Sequence, residues 1–316
     1  MLTTCILGGM GFIGQVVVRE LLQRGDRQII VVGREKEPLN VPASVRYIQH
    51  PPEATADLIA QTLLACDEVI DLAYATVPQT SFQNPVNDIL VNVPEAVRLF
   101  ELAAQLPLRK FVWVSSGGTV YGPAQTLPIT EDHPTKPISP YGITKLTVEK
   151  YAYLYHHIQQ LPIVCVRPSN AFGEGQRVYA GQGFIGTAIA SLLDGRVLNI
   201  FGQEGTVRDY LHVQDMARGI IAALLGGLPG EVYNLGSGQG YNNTEIINLL
   251  SPLAAEQGLE VKVQLLPERH FDVKANILDS SKLQDCTGWQ PAHTFEEKLR
   301  QTWYWYVENY ERTPVK

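Results

Sequence analysis

Short apolar runs alternate with longer amphipathic stretches through the first half of the chain. Residues 3–7, 28–32, 68–72, 110–114 and 163–166 are rich in aliphatic side chains, as strands buried on both faces of a parallel sheet must be. Between them apolar residues recur at helical spacing, as in residues 15–24, 87–105 and 140–160. This rhythm predicts an α/β fold built on a doubly wound parallel sheet. Near Asn170 it breaks into the glycine-rich stretches Gly173-Glu174-Gly175-Gln176 and Gly181-Gln182-Gly183. A helical pattern follows at residues 184–193, another at 213–225, and a buried strand at 231–235. The chain is therefore expected to enter a smaller α/β lobe, return to the first sheet, and finish in the second lobe. No internal repeat or low-complexity stretch interrupts it.

Composition narrows the function. With 316 residues and 45% hydrophobic content the chain can bury a sizeable core. A formal charge of −7 without a cluster of Lys and Arg argues against nucleic acid as a partner, because that affinity rests on phosphate neutralisation. Cys5, Cys66, Cys165 and Cys286 are scattered without metal-ligand spacing, so they are expected to be buried free thiols, and no metal site is expected. Neither a basic start with a long apolar run nor a run of membrane-spanning length is visible, so no export signal and no membrane partner are expected. Reduced thiols then favour the cytoplasm.

The clearest chemical signal follows the first apolar run. Gly8-Gly9-Met10-Gly11-Phe12-Ile13-Gly14 stands between a strand and an amphipathic helix, the context a dinucleotide-binding turn requires. Gly8 can take the tight turn, Gly11 can admit a pyrophosphate to the backbone, and Gly14 can pack helix on strand. Four glycines in seven residues weaken helix and strand alike unless close approach needs them. A dinucleotide that is NAD is usually met by an acid at the end of the second strand. Here the residues are Val32-Gly33-Arg34, and the guanidinium of Arg34 suits a 2′-phosphate, which favours NADP over NAD. The first lobe, residues 1–169 plus about 208–235, is then the dinucleotide-binding domain, with residues 170–207 plus 236–316 in the second.

Ser139-Pro140-Tyr141-Gly142-Ile143-Thr144-Lys145 opens a helix, and four-residue spacing puts Tyr141 and Lys145 on one face. Such a pair can carry acid–base chemistry if the phenol, near about 10 when free, is lowered by a neighbouring ammonium. Val114-Ser115-Ser116-Gly117-Gly118-Thr119-Val120-Tyr121-Gly122 follows the fourth apolar run, on the side where such sheets bind ligands.

Together with Arg167-Pro168-Ser169-Asn170, residues 205–213 and Arg269-His270-Phe271-Asp272, these motifs resemble the extended short-chain dehydrogenases/reductases, in particular the nucleotide-sugar epimerase/dehydratase group. The resemblance implies a Rossmann sheet with a nicotinamide cofactor. It makes Tyr141 the catalytic base and acid, with Lys145 binding the nicotinamide ribose. It gathers Gly8, Gly11, Phe12, Ile13, Gly14, Arg34, Leu72, Ala73, Asn92 and Pro168 round the cofactor, and Asn170, Arg208, Arg269 and Asp272 round a sugar diphosphate and its nucleoside. Residues 198–201 match a strand beside the nucleobase. Two departures stand out: Arg34 in place of an acid, and Gly117 where the family places a Ser or Thr that bonds the sugar oxygen. Thr119, ahead of Ser116, is the expected substitute.

The family's 4,6-dehydratases carry an Asp-Glu pair where this chain has Gly118 and Thr119, so dehydration is disfavoured. The expectation is a 4-epimerase of the UDP-hexose class working through a transient 4-keto sugar. The alternative is an NADPH-dependent 4-ketoreductase of a nucleotide 4-keto-6-deoxy sugar, and a third is a non-catalytic nucleotide-binding homologue. Residues 87–105 and 140–160 match the helices that pair in family homodimers. Asn276 matches a position where a bulky residue excludes N-acetyl groups, which would leave room for acetylated sugars.

Overall fold

The computed structural model describes residues 1–36, 38, 41–50, 56–269 and 273–311. In chain order the first half runs β1 (Leu2–Leu7), α1 (Phe12–Arg24), β2 (Arg27–Gly33), β3 (Val45–Gln49), α2 (Ala56–Leu64), β4 (Glu68–Asp71), α3 (Pro78–Gln83), α4 (Pro85–Ala103), β5 (Lys110–Val114), α5 (Pro140–Gln159) and β6 (Ile163–Pro168). The second half runs β7 (Asn170–Phe172), α6 (Phe184–Leu193), β8 (Leu198–Phe201), β9 (Val207–His212), α7 (Val213–Gly226), β10 (Val232–Leu235), β11 (Gly240–Tyr241), α8 (Asn243–Glu256), β12 (Val263–Leu266), β13 (Ala275–Asn276), α9 (Ser281–Thr287) and α10 (Phe295–Asn309).

The apolar runs become a seven-stranded parallel sheet in the order β10-β6-β5-β4-β1-β2-β3. The order reverses between β1 and β4, and a crevice opens beyond the carboxyl ends of the strands at such a point. One face of the sheet is covered by α1 and α7 through Val17, Leu21, Met216 and Ile220. The other is covered by α2, α4 and α5 through Leu63, Phe100, Val148 and Ala152. A further core lies among α6, α8 and α10, around Leu250 and Trp303.

Several elements depart from the expected pattern. β3 was not foreseen, because it is an edge strand of mixed polarity, Val-Arg-Tyr-Ile-Gln, rather than an apolar run. α1 begins at Phe12, three residues before the expected start, so Ile13 and Gly14 lie in its first turn. β4 ends at Asp71, one residue short of the expected Leu72. After β6, the strands β7, β11 and β13 all pair with β9 in a separate small sheet, and β12 pairs with β8. β10 returns to the large sheet beside β6. Three cysteines are buried free thiols, but Cys286, in the last turn of α9, is only partly buried and its thiol approaches Gly226 O at 3.3 Å.

Candidate active site

The glycine turn forms one wall of a cleft of about 1010 Å³. Gly8 has φ +74°, where a side chain would be strained, and a Cβ there would press on the backbone of Leu72 and Ala73 at 3.1–3.2 Å. Gly14 is tighter still: its Cβ would run into Gly8 O and lie 2.7 Å from Gly9 Cα. Its role is thus to seat the helix on the turn itself, not on the strand as expected. Approach to the neighbouring strand belongs to Gly9, whose Cβ would meet the Val31 side chain at 2.9 Å. Gly11 precedes α1 as its N-cap, with no side-chain cap and no acid in the first turn, so the helix start meets the cleft without a competing carboxylate. Gly8, Gly11, Phe12, Leu72 and Ala73 line this cleft; Ile13 instead packs against the core. A cradle that any Cβ would fill, beneath an uncapped helix start, fits a dinucleotide pyrophosphate.

Arg34 is exposed at the far end of the cleft and makes no ion pair with another described residue. Gly33 is held open by Tyr47, whose hydroxyl would lie 2.7 Å from a Cβ there and donates to Glu35 O at 2.7 Å. His50 was not foreseen. Its backbone N–H donates to Gly33 O at 2.7 Å, its Nε2 is buried without a partner, and burial lowers its pKa.

The start of α5 carries the two residues expected to form the proton-transfer pair. Ser139 caps the helix, its Oγ accepting from Gly142 N at 3.1 Å, and Pro140 fits the first turn. Tyr141 is partly buried, and its hydroxyl makes no hydrogen bond with a described residue. Lys145 is 4% exposed and its ammonium donates to Val114 O at 2.8 Å, while lying 5.8 Å from the Tyr141 ring centroid. The expected lowering of the phenol is not seen in this arrangement. Burial, and secondarily the Asp88 carboxylate, push Tyr141 upward instead. Burial draws Lys145 down to about 7, with Asp71, Glu149 and Asp88 acting in the opposite sense.

Two acids stand behind this pair that the sequence had not singled out. Asp71, at the end of β4, is raised to about 6 by burial against the pull of Ala73 N–H and Lys145. Asp88 is fully buried in α4, where it accepts from Thr144 Oγ1 at 2.5 Å and from Thr76 Oγ1. Asn92 lines the cleft, but its amide is already engaged: Oδ1 accepts from Ala75 N at 2.9 Å, and Nδ2 donates to Thr76 Oγ1 at 3.0 Å and Asp88 O at 2.8 Å. Its side chain thus fixes the loop after β4.

Beyond β5 the chain passes close under β6. A Cβ on Gly117 would lie 2.5 Å from Leu278 Cδ1 and 2.9 Å from Arg167 O, so a hydroxyl-bearing residue does not fit. Gly117 N donates to Pro168 O at 2.9 Å; Pro168 is buried at the end of β6 and does not line the cleft. Thr119 lies against the first turn of α5, since a Cβ on Gly142 would be 2.6 Å from Thr119 O. Its Oγ1 is buried without a partner, whereas Ser116 contributes its carbonyl to the turn that leads to Thr119 and Val120.

The expected substrate residues are more dispersed. Asn170 Oδ1 lies 3.3 Å from the position of a Cβ on Gly118. Arg208, on β9, donates to Val207 O at 2.9 Å and Val273 O at 2.7 Å, and pairs in register with Asn276. Asn276 donates to Gly117 O at 3.0 Å and keeps a buried, unpartnered Oδ1. Arg269 is exposed and stacks on Phe201 at the end of β8, 3.4 Å from the ring centroid. Asp272 lies outside the described residues.

The profile of the NAD dependent epimerase/dehydratase family matches residues 4–236. A UDP-glucose 4-epimerase of Mycolicibacterium smegmatis is 30% identical over 305 residues, spanning 95% of this chain and 96% of that protein. Among solved structures, the UDP-glucose 4-epimerase of Thermotoga maritima with UDP-glucose superposes with a TM-score of 0.90 at 28% identity, covering 98% of this chain and all (100%) of that one. The Thermus thermophilus UDP-glucose 4-epimerase in complex with NAD gives 0.88 at 28% identity, covering 98% and 100%. A dTDP-glucose 4,6-dehydratase of Streptomyces venezuelae with NAD gives 0.87 at 28%, covering 98% of each chain. The chain belongs to the NAD-dependent epimerase/dehydratase family.

Proposed function

We propose that this member of the family is a nucleotide-sugar 4-epimerase of the UDP-hexose class. The observation that carries the proposal is the Tyr141 hydroxyl, free of any described partner, set near buried Lys145 and beside the segment that carries the unpartnered Thr119 hydroxyl. Dehydration needs a separate acid and base near the reacting carbons, and Gly118 and Thr119 offer neither. Since a fold does not determine a reaction, these side chains carry the argument rather than the sheet.

A bound nicotinamide cofactor supplies a hydride acceptor and donor and, when oxidised, positive charge. Gly8, Gly11 and Phe12 would hold its pyrophosphate end on the turn that Gly14 lets the helix approach, with Leu72, Ala73 and Asn92 along the cleft. Tyr141 takes the proton from the sugar O4 as the C4–H bond breaks, Thr119 Oγ1 bonds that oxygen, and Lys145 as an ammonium favours the phenolate. After the 4-keto sugar turns, Tyr141 returns the proton to O4 with configuration inverted. Asn170, Arg208 and Arg269, with Asp272, would hold the diphosphate and nucleoside. The compact, engaged Asn276 supports a pocket that accepts N-acetyl sugars. Incubation with UDP-glucose, UDP-galactose and their N-acetyl forms, without added nucleotide, is expected to interconvert at least one pair. No interconversion of any pair would overturn the reading.

Arg34 favours a second reading, an NADPH-dependent 4-ketoreductase. Stoichiometric NADPH loss with a nucleotide 4-keto-6-deoxy sugar would support it, and a cofactor that stays bound through turnover would oppose it. In either case Arg34 favours NADP, to be tested by comparing the two dinucleotides in binding titrations. The assembly we propose is a homodimer through α4 and α5, the lobes those set out from the sequence, and the compartment the cytoplasm, consistent with four free cysteines.

A further inference from the structure

Tyr74 lies in the loop after β4, beyond Leu72 and Ala73, and lines the same cleft as Asp71 and Trp113. The Lys145 ammonium lies 3.8 Å from the centroid of its ring, nearer than to Trp113 at 4.8 Å. The Tyr74 and Tyr141 rings meet in a T-shape, with centroids 5.1 Å apart and planes at 72°. The Tyr74 hydroxyl is buried with only Thr144 as a polar side-chain neighbour, whose own hydroxyl donates to Asp88, so this position draws more on the ring than on the oxygen. A desolvated ammonium over an aromatic face is attracted by the ring quadrupole, and an edge-on ring fixes its neighbour's orientation.

We infer that Tyr74 is a positioning residue: its ring face keeps the Lys145 ammonium charged and aimed along the site, while its edge-on packing sets the Tyr141 ring. The inference rests on the reading of Tyr141 and Lys145 as the proton-transfer pair. The charges facing Lys145 are Asp71 from β4, Asp88 from α4 and Glu149 from α5, the last already paired with Arg167 of β6. Burial opposes the ammonium, and these acids favour it. The ring acts in the same sense as the acids, so its loss lowers the pH at which Lys145 gives up its proton.

The test is an NMR titration of the full chain carrying lysine labelled at Cε, with the Lys145 signal assigned by its absence in Lys145→Arg. Tyr74→Phe keeps the ring face and is expected to leave the midpoint in place. Tyr74→Leu is expected to lower it by about one pH unit, roughly tenfold in the protonation constant. Pentafluorophenylalanine at position 74 fills nearly the same volume with an electron-poor face. It should do the same, which covers the case in which Tyr74→Leu fails to fold. Because the ammonium is the working form, the alkaline limb of the kcat/KM profile should move down in step. Coincident midpoints in the phenylalanine and pentafluorophenylalanine proteins would overturn the inference. A chain that turns over no nucleotide sugar but shows the shift would sink the epimerase reading alone; brisk turnover with coincident midpoints would sink this inference alone.

Discussion

At the scale of single residues, the missing hydroxyl at Gly117 has a steric cause. Leu278 and the Arg167 carbonyl occupy the space a side chain would need, and the Arg167 carbonyl belongs to a strand that cannot give way cheaply. Gly117→Ser is therefore expected to lower stability by about 1–3 kcal/mol, as overpacking does, and to lower activity rather than restore a lost contact. Thr119→Val runs the other way. It removes a buried hydroxyl that has no partner, so thermal stability should hold or rise slightly, while kcat falls by about tenfold to a hundredfold through loss of one oxygen-directed bond. Melting curves beside steady-state kinetics separate the two. A Thr119→Val protein that keeps full kcat would remove Thr119 from the site. The sequence made Thr119 and Gly117 legible because both lie in one contiguous motif. Tyr74, Asp71 and His50 escaped because each is a lone residue at a strand exit, given meaning only by α5 or β2 arriving from elsewhere in the chain. An acid closing the apolar run Val69-Ile70-Asp71, followed by Tyr74 among alanines, was the signal available.

At the scale of elements, the parallel strands were readable because burial on both faces leaves an unbroken apolar run, and β3 was not, because an edge strand needs only partial burial. What periodicity could not convey is how α5 is locked in rotation so that Tyr141 and Lys145 meet Tyr74 and Trp113 of the cleft wall. One turn beyond Lys145, Glu149 is buried and bound by Arg167 through Nη2–Oε2 at 2.6 Å and Nε–Oε1 at 3.0 Å, and it accepts from Ser115 Oγ at 2.5 Å. Arg167 also donates to Tyr121 OH at 2.8 Å, which in turn donates to Asn234 Oδ1 at 2.6 Å. The network ties α5 to β5, β6 and β10. Arg167→Met leaves a buried carboxylate unpaired and is expected to cost about 3–5 kcal/mol in urea unfolding, with a fall in kcat as α5 loosens. Adding Glu149→Leu should recover part of the stability, but not all, because the hydroxyls of Ser115 and Tyr121 lose a partner. A double variant less stable than Arg167→Met alone would show that the two charges are not coupled in this way.

At the scale of the whole molecule, the side of α4 that meets the sheet carries Leu99, Phe100 and Ala103, while Val86, Ile89 and Leu90 stand exposed on it. α5, packed beside it, exposes Ile143, Tyr153, Leu154 and Ile158. Apolar side chains gathered on two adjacent helices are unusual on a monomer's surface and suit a partner of the same kind. A two-fold axis beside the pair would bring four helices together and bury both copies of the face at once. The proposed homodimer therefore predicts a light-scattering mass of twice the 35.0 kDa chain. Leu90→Asp combined with Leu154→Asp puts unpaired carboxylates at the centre of that contact and should return the mass to a single chain, because burying an isolated charge costs more than the remaining apolar contact supplies. Leu265→Asp, at an exposed apolar position on β12, which pairs with β8 away from the large sheet, should leave the mass doubled. A single-chain mass for the unaltered protein at micromolar concentration, or loss of dimer with Leu265→Asp alone, would assign the face to another role. Since α5 carries both Tyr141 and Lys145, the same measurement made beside kinetics asks whether the interface steadies the active site: if it does, the α4–α5 double variant should lose kcat at concentrations where its circular dichroism is unchanged.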